Sequence, residues 1–168
     1  MSDATTGLRQ LEDIEAIKRL KHYYYCYCVD RAVSGDTSAI AETLSRFSED
    51  IVADFTGFPL AEGKEQVDDF YARGVPSMLS YSQHYVFNEV LDISGDTATG
   101  LWYLNCPVIF TEQGPLGQEG PGLIAGRYEE EYVREDGVWK WRRIVALLDV
   151  VGPAEELWAN ATMLRSNR

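Results

Sequence analysis

YSQHYVFNEVLDISGDTATGLWYLNCPVIFT, residues Tyr81 to Thr111, decides the fold. Its two halves are rich in β-branched and aromatic residues, and Ser94-Gly95-Asp96 between them is a turn signal. The stretch therefore predicts two long strands, Tyr81–Ile93 and Thr97–Thr111, joined as a hairpin. Pro107 brings no N–H to a ladder, which predicts a bulge or an edge in the second strand. Downstream, Glu112 to Gly122 holds four glycines and two prolines and predicts a loop near a pocket mouth. Leu123–Glu135 and Val138–Val151, with Asp136-Gly137 between them, repeat the hairpin pattern. The second half of the chain is thus an antiparallel meander.

The first half has helical spacing. Leu11, Ile14, Ile17 and Leu20 form an apolar ladder, predicting a helix from about Leu8 to Asp30. After a turn at Ser34-Gly35-Asp36, Thr37 or Ser38 can cap a second helix with Ile40, Leu44 and Phe47 on one face. A short strand is expected over Ile51–Phe55. A third helix follows over Lys64–Arg73, with Val67, Phe70 and Tyr71 inward. Helices followed by a meander predict an α+β domain with helices on one face of a curved sheet. The expected organisation is an N-terminal tail at 1–10, one domain at 11–151, and a tail helix at 152–168. That tail, with Leu157, Trp158 and Met163, is expected to cap the pocket, with the Glu112–Gly122 loop as the alternative.

Composition narrows the function classes. At 168 residues, with 45% apolar content, the chain can bury a sizeable core. Its net charge of −12 argues against nucleic acid or an anionic membrane as partner. No apolar run reaches the ~18 residues that would span a bilayer, and Met1 to Gly7 carries no secretory signal pattern. Cys26, Cys28 and Cys106 form no even framework, which suits reduced thiols in a cytoplasm. Two histidines and no cysteine–histidine spacing argue against a metal site.

One stretch points to chemistry. Tyr23-Tyr24-Tyr25-Cys26-Tyr27-Cys28-Val29-Asp30 crowds four phenols and a carboxylate at the end of the first helix. Buried phenols and carboxylates need partners, so this is a poor core filler and a good pocket wall. His22, near Lys18 and Lys21, is expected at the surface, and Trp139 and Trp141 in the core.

Ile17 to Asp30, His84-Tyr85-Val86-Phe87-Asn88, Gly95-Asp96-Thr97-Ala98, Tyr128-Glu129-Glu130-Glu131-Tyr132 and Asp136-Gly137-Val138-Trp139-Lys140-Trp141 occur in an order and spacing with a counterpart. Together they resemble the SnoaL-like branch of the nuclear-transport-factor-2-like superfamily, over roughly Leu11 to Val151. Within it the chain resembles the dehydratases and dehydrochlorinases. The resemblance implies a cone-shaped, strongly curved antiparallel sheet whose N-terminal helices close an apolar pocket. It also implies a histidine base at His84 paired with Asp30, and a tyrosine at Tyr25 or, counted from Ile17, at Tyr24. Phe55, Phe58, Phe87, Trp102, Leu104, Cys106, Ile144 and Leu148 are the expected lining.

Two positions depart from the pattern. Cys106 stands where the bile acid dehydratases carry a second aspartate, and Ile144 and Leu148 occupy places where relatives hold an arginine. Arg142 and Arg143 would have to reach. A thiol does not replace a carboxylate, and an absent cation removes the stabiliser for an anionic group. The expectation is a cofactor-independent lyase that dehydrates a small, neutral, hydrophobic cyclic substrate, working as a dimer or trimer. The alternatives are an isomerase or polyketide-type cyclase using the same dyad, and a non-catalytic pocket or assembly module.

Overall fold

The computed structural model describes residues 3–154. The tail helix expected over 152–168, and with it the capping role given to Leu157, Trp158 and Met163, lies almost wholly outside the described residues. The chain opens with α1 (Asp3–Arg19), widens into a π-helical stretch (Leu20–Tyr27) and tightens again into α2 (Cys28–Val33). Helix thus begins before Leu8 and runs past Asp30. Short α3 (Ile40–Leu44) leads into β1 (Phe47–Phe55) and β2 (Ala61–Glu62). Then come α4 (Lys64–Asp69), a second π-helical turn (Phe70–Gly74) and α5 (Val75–Met78). The rest is strand: β3 (Leu79–Ser82), β4 (Tyr85–Ser94), β5 (Thr97–Phe110), β6 (Gly120–Glu135) and β7 (Val138–Pro153).

The seven strands form one sheet in the order β2-β1-β7-β6-β5, with β3 and β4 sharing the far edge of β5. Every pairing is antiparallel except β1 with β7. No hairpin joins those two strands; the whole meander lies between them, which leaves room for a parallel register. Phe47, expected on a helix, belongs to β1 and pairs with Trp141, because α3 ends at Leu44. Bulges curl the sheet. Asn88 at φ 53 marks a register shift between Phe87 and Val90, and an extra residue on a strand bends it and raises its twist. A second shift falls at Gly126, where a Cβ would meet the Leu147 carbonyl oxygen at 2.1 Å. Only glycine fits there.

The curl encloses a core of Trp102, Tyr132, Trp139 and Trp141, closed by the inner face of the helices. That face differs from the predicted ladder. Ile17 and Leu20 are buried, but Leu11 is exposed, and Asp13 and Lys21 are buried instead. Asp13 accepts from Trp139 Nε1 at 3.0 Å and from Arg134. Lys21 Nζ is 2.5 Å from Glu130 Oε1, with both side chains fully buried. No helix among the described residues is long and apolar enough to cross a membrane.

Candidate active site

The single long strand expected over Tyr81–Ile93 is two strands, and the break between them builds the site. At Gln83 and His84 the chain leaves the ladder. Gln83 N–H donates to the Pro107 carbonyl at 3.0 Å, and Pro107, lacking an N–H, sits opposite the gap where none is needed. The proline thus marks neither a bulge nor an edge of β5 but an interruption in its neighbour. His84 N–H, freed from the ladder, donates to Asp30 Oδ2 at 2.9 Å. The same carboxylate accepts from Ser82 Oγ at 2.6 Å and lies 2.6 Å from His84 Nδ1. Asp30 is carried on α2, one helical turn past Cys26. A carboxylate at Nδ1 keeps the proton on that nitrogen and leaves Nε2 as the reactive one.

His84 lines a partly open, apolar cavity. Tyr25, Val29, Phe55, Phe58, Leu104, Cys106 and Leu148 line it, together with Phe70, Tyr71, Val75, Met78, Leu79, Ile124 and Tyr128. Its volume is about 70 Å³, under half of the ~150 Å³ that admits benzene to a protein interior. A ring-sized ligand therefore requires the cavity to widen.

Three of the expected positions do not line it. Phe87 is 42% exposed on the outer face, stacked on Tyr103 at 6.2 Å; alternation from the inward His84 sends Val86 in and Phe87 out. Trp102 is buried, but its Nε1 donates to Tyr132 Oη at 2.9 Å, in the core below the cavity. Ile144 pairs with Glu130 on that same level and packs into the core. Of the two tyrosines, Tyr25 reaches the cavity. Tyr24 turns to Arg46, whose Nη2 donates to its hydroxyl at 2.8 Å. Arg142 and Arg143 are exposed, Arg142 bonding Asp50 at 2.9 Å. His22 is exposed, as expected.

The structure also assembles a polar cluster that sequence reading missed. Tyr71 Oη donates to Tyr25 Oη at 3.1 Å, and Tyr25 Oη donates to Tyr128 Oη at 3.3 Å. Three hydroxyls carry three protons and two bonds between them use two. Whichever way the chain runs, one O–H is left without a phenol acceptor, and all three tyrosines line the cavity. Burial, reinforced by neighbouring phenols, holds all three pKa values well above the ordinary 10.0, so they remain neutral donors. Behind them the Lys21 ammonium lies 4.0 Å from the Tyr25 ring centre and 3.4 Å from that of Tyr128. The only sequence signal for these groups was the tyrosine crowding itself.

Burial works to lower the pKa of His84, but Cys106 and Asp30 more than offset it, and it stands raised from 6.5 to about 9. Among the described residues no group of three or more His, Cys, Asp or Glu side chains converges to hold a metal ion.

The fold has relatives. A profile of the SnoaL-like domain matches residues 9–145. The fold superposes on a hexachlorocyclohexane dehydrochlorinase, LinA type 2, with a TM-score of 0.73 and 25% identity, over 88% of this chain and 92% of that one. LinA type 3 from Novosphingobium barchaimii LL02 gives 0.71 and 25%, over 88% and 93%. A candidate scytalone dehydratase from Novosphingobium aromaticivorans DSM 12444 gives 0.69 and 21%, over 84% and 87%, a likeness of fold. These neighbours support an enzyme family of lyase or isomerase type.

Proposed function

Because this chain belongs to the SnoaL-like domain family, we propose that it is a lyase that eliminates water from a small, neutral, cyclic β-hydroxy carbonyl compound. One observation carries the reading: a histidine held by a carboxylate at Nδ1 and a chain of three neutral phenols line one apolar cavity. That pairing suits abstraction of a carbon-bound proton next to a carbonyl. His84 Nε2 takes the proton, and the electron pair moves toward the carbonyl oxygen, where the tyrosine cluster donates. The imidazolium, stabilised by Asp30, returns the proton to the departing hydroxyl, which leaves as water. The proton count is unchanged over the cycle.

A positioned base contributes roughly 10²–10⁴-fold, and a donor to the developing oxyanion on the order of 10²–10³-fold. Among the described residues the lining holds no lysine or arginine, and Lys21 behind it is committed to Glu130, which favours a neutral substrate. The LinA neighbours are dehydrochlorinases by name, and a chloride leaving group would ask the same of His84.

The test is a panel of cyclic β-hydroxy ketones followed by proton NMR in D2O. Elimination, or α-proton exchange without it, in wild type and its loss in His84→Ala support the reading. Exchange and double-bond migration without loss of water would favour an isomerase. Binding without either reaction, unaffected by His84→Ala, would favour a non-catalytic pocket.

A further inference from the structure

Three donors grip the Asp30 carboxylate. Two of them, the ring and the backbone N–H of His84, belong to the dyad itself. The third is the Ser82 hydroxyl, which has no part in the elimination above. Ser82 ends β3, where it is 3% exposed and pairs with Val108. Its Oγ donates to Asp30 Oδ1 at 2.6 Å, the length of an O–H bond to a charged acceptor. That same oxygen lies 2.6 Å from His84 Nδ1, whereas the His84 backbone N–H takes Oδ2. Ser82 and the imidazole therefore share one carboxylate oxygen, and both come from the tripeptide at the break between β3 and β4. Arg31, beside Asp30 in the chain, turns to Asp36 instead.

We propose that Ser82 is a positioning residue for the dyad: its hydroxyl fixes Asp30 and draws charge from the oxygen that faces His84, which keeps the imidazole able to release a proton. The inference rests on the reading of His84 as a base. A hydrogen bond to a carboxylate is strongest when the charge is bare, which here means when His84 is neutral. Once the imidazolium forms, it neutralises the same oxygen and the Ser82 bond is worth less. Ser82 thus favours neutral His84, against the pull of Asp30 toward a permanently charged pair. The other groups around the dyad are weak competitors. Tyr25, from the π-helical stretch, has its ring centre 5.7 Å from that of His84, and it stays a neutral phenol, as do Tyr71 and Tyr128. Burial pushes the Cys26 thiol up to about 12, and Cys106 lines the cavity from β5 beside no lysine or arginine. A hydroxyl that only propped Asp30 in place would act with the opposite sign: its loss would loosen the dyad and lower the proton affinity of His84.

The test is an NMR titration of the His84 Cε1–H signal in the full chain, with His22 as the internal control. From its wild-type value of about 9, the midpoint is expected to rise by about one unit in Ser82→Ala, within the worth of one hydrogen bond to a charged group. Ser82→Cys, which keeps a weak donor, is expected between the two, and Ser82→Thr, which keeps the hydroxyl, near wild type. Far-UV circular dichroism checks folding, and Ser82→Cys reads the same sign if Ser82→Ala does not fold. A second arm follows α-proton exchange of cyclopentanone in D2O. At pH 7 kcat is expected to fall ~10-fold in Ser82→Ala with KM unchanged, because one unit leaves a tenth as much neutral His84, and the loss should disappear above about pH 10. A midpoint that falls or stays in place in the folded variant overturns the proposal. Exchange in wild type with an unmoved midpoint sinks this inference alone. A raised midpoint with no exchange in wild type upholds the effect of Ser82 on His84 and sinks the reading of His84 as a base.

Discussion

The charge state of His84 offers the sharpest quantitative test. Its imidazole is 10% exposed, is held by Asp30 and Cys106, and has its pKa raised from 6.5 to about 9. A group bound more tightly to its proton in the folded state stabilises the fold below its unfolded pKa. That stabilisation is complete below about pH 6.5 and is lost as pH rises through about 9. At ~1.4 kcal/mol for each tenfold change in proton affinity, the difference is worth about 3 kcal/mol. The perturbation is His84→Gln, and the assay is urea unfolding of both proteins from pH 6 to pH 10. Wild type is expected to lose about 3 kcal/mol more than the variant across that window. The chain has only two histidines, so NMR of the imidazole Cε1–H signals reads the cause directly. One midpoint is expected near 9 for His84, and one below 6.5 for His22, whose ring is partly desolvated against Trp102. A His84 midpoint at or below 6.5, or parallel stability curves, would refute the electrostatics of the dyad.

If His84 must be neutral to act, kcat/KM should climb from pH 7 and level off above about pH 9, gaining roughly 10²-fold; a profile flat from pH 6 to pH 9 contradicts this. Asp30→Asn removes the carboxylate that accepts from Ser82 and from the His84 backbone and ring, and should lower kcat on the order of 10⁴-fold while bringing the His84 midpoint down. Tyr25→Phe deletes the middle hydroxyl of the phenol chain and should cost kcat ~10²-fold with little change in KM; an effect confined to KM would make Tyr25 a packing residue. Lys21→Met leaves Glu130 buried without its cation and should cost ~3–5 kcal/mol by denaturation, partly restored in Lys21→Met/Glu130→Gln. The outward Tyr85, Phe87 and Tyr103 form an exposed aromatic patch, so light scattering is expected to report a dimer or trimer, and a monomer would speak against assembly through that face.

The meander was legible because its signals are local. Alternation and the Gly95 and Asp136-Gly137 turns set each hairpin without reference to the rest of the chain. The parallel β1–β7 pair was not, because nothing in either segment encodes a partner some ninety residues away. The helix face differs for two physical reasons: Asp13 is drawn inward by Trp139 and Arg134, and the π-helical stretch at Leu20–Tyr27 shifts the phase of the ladder, which turns Lys21 inward beside the phenols. Asp30 and His84 could be named because the resemblance to the SnoaL-like family implies a paired aspartate and histidine at those places. Tyr71 and Tyr128 could not. They meet Tyr25 across separations of 46 and 103 residues, and only the curl of the sheet brings them together. Phe87 was misassigned although simple alternation from His84 would have put it outside.

The central claim is that His84 removes a carbon-bound proton inside the cavity. Deuterium incorporation at the α-carbon of a bound cyclic ketone, followed by NMR in D2O, tests it without requiring the natural leaving group. Wild type is expected to exchange that position, Asp30→Asn to slow it, and His84→Ala to abolish it while still binding the ketone. Exchange at an undiminished rate in folded, ketone-binding His84→Ala would contradict the claim.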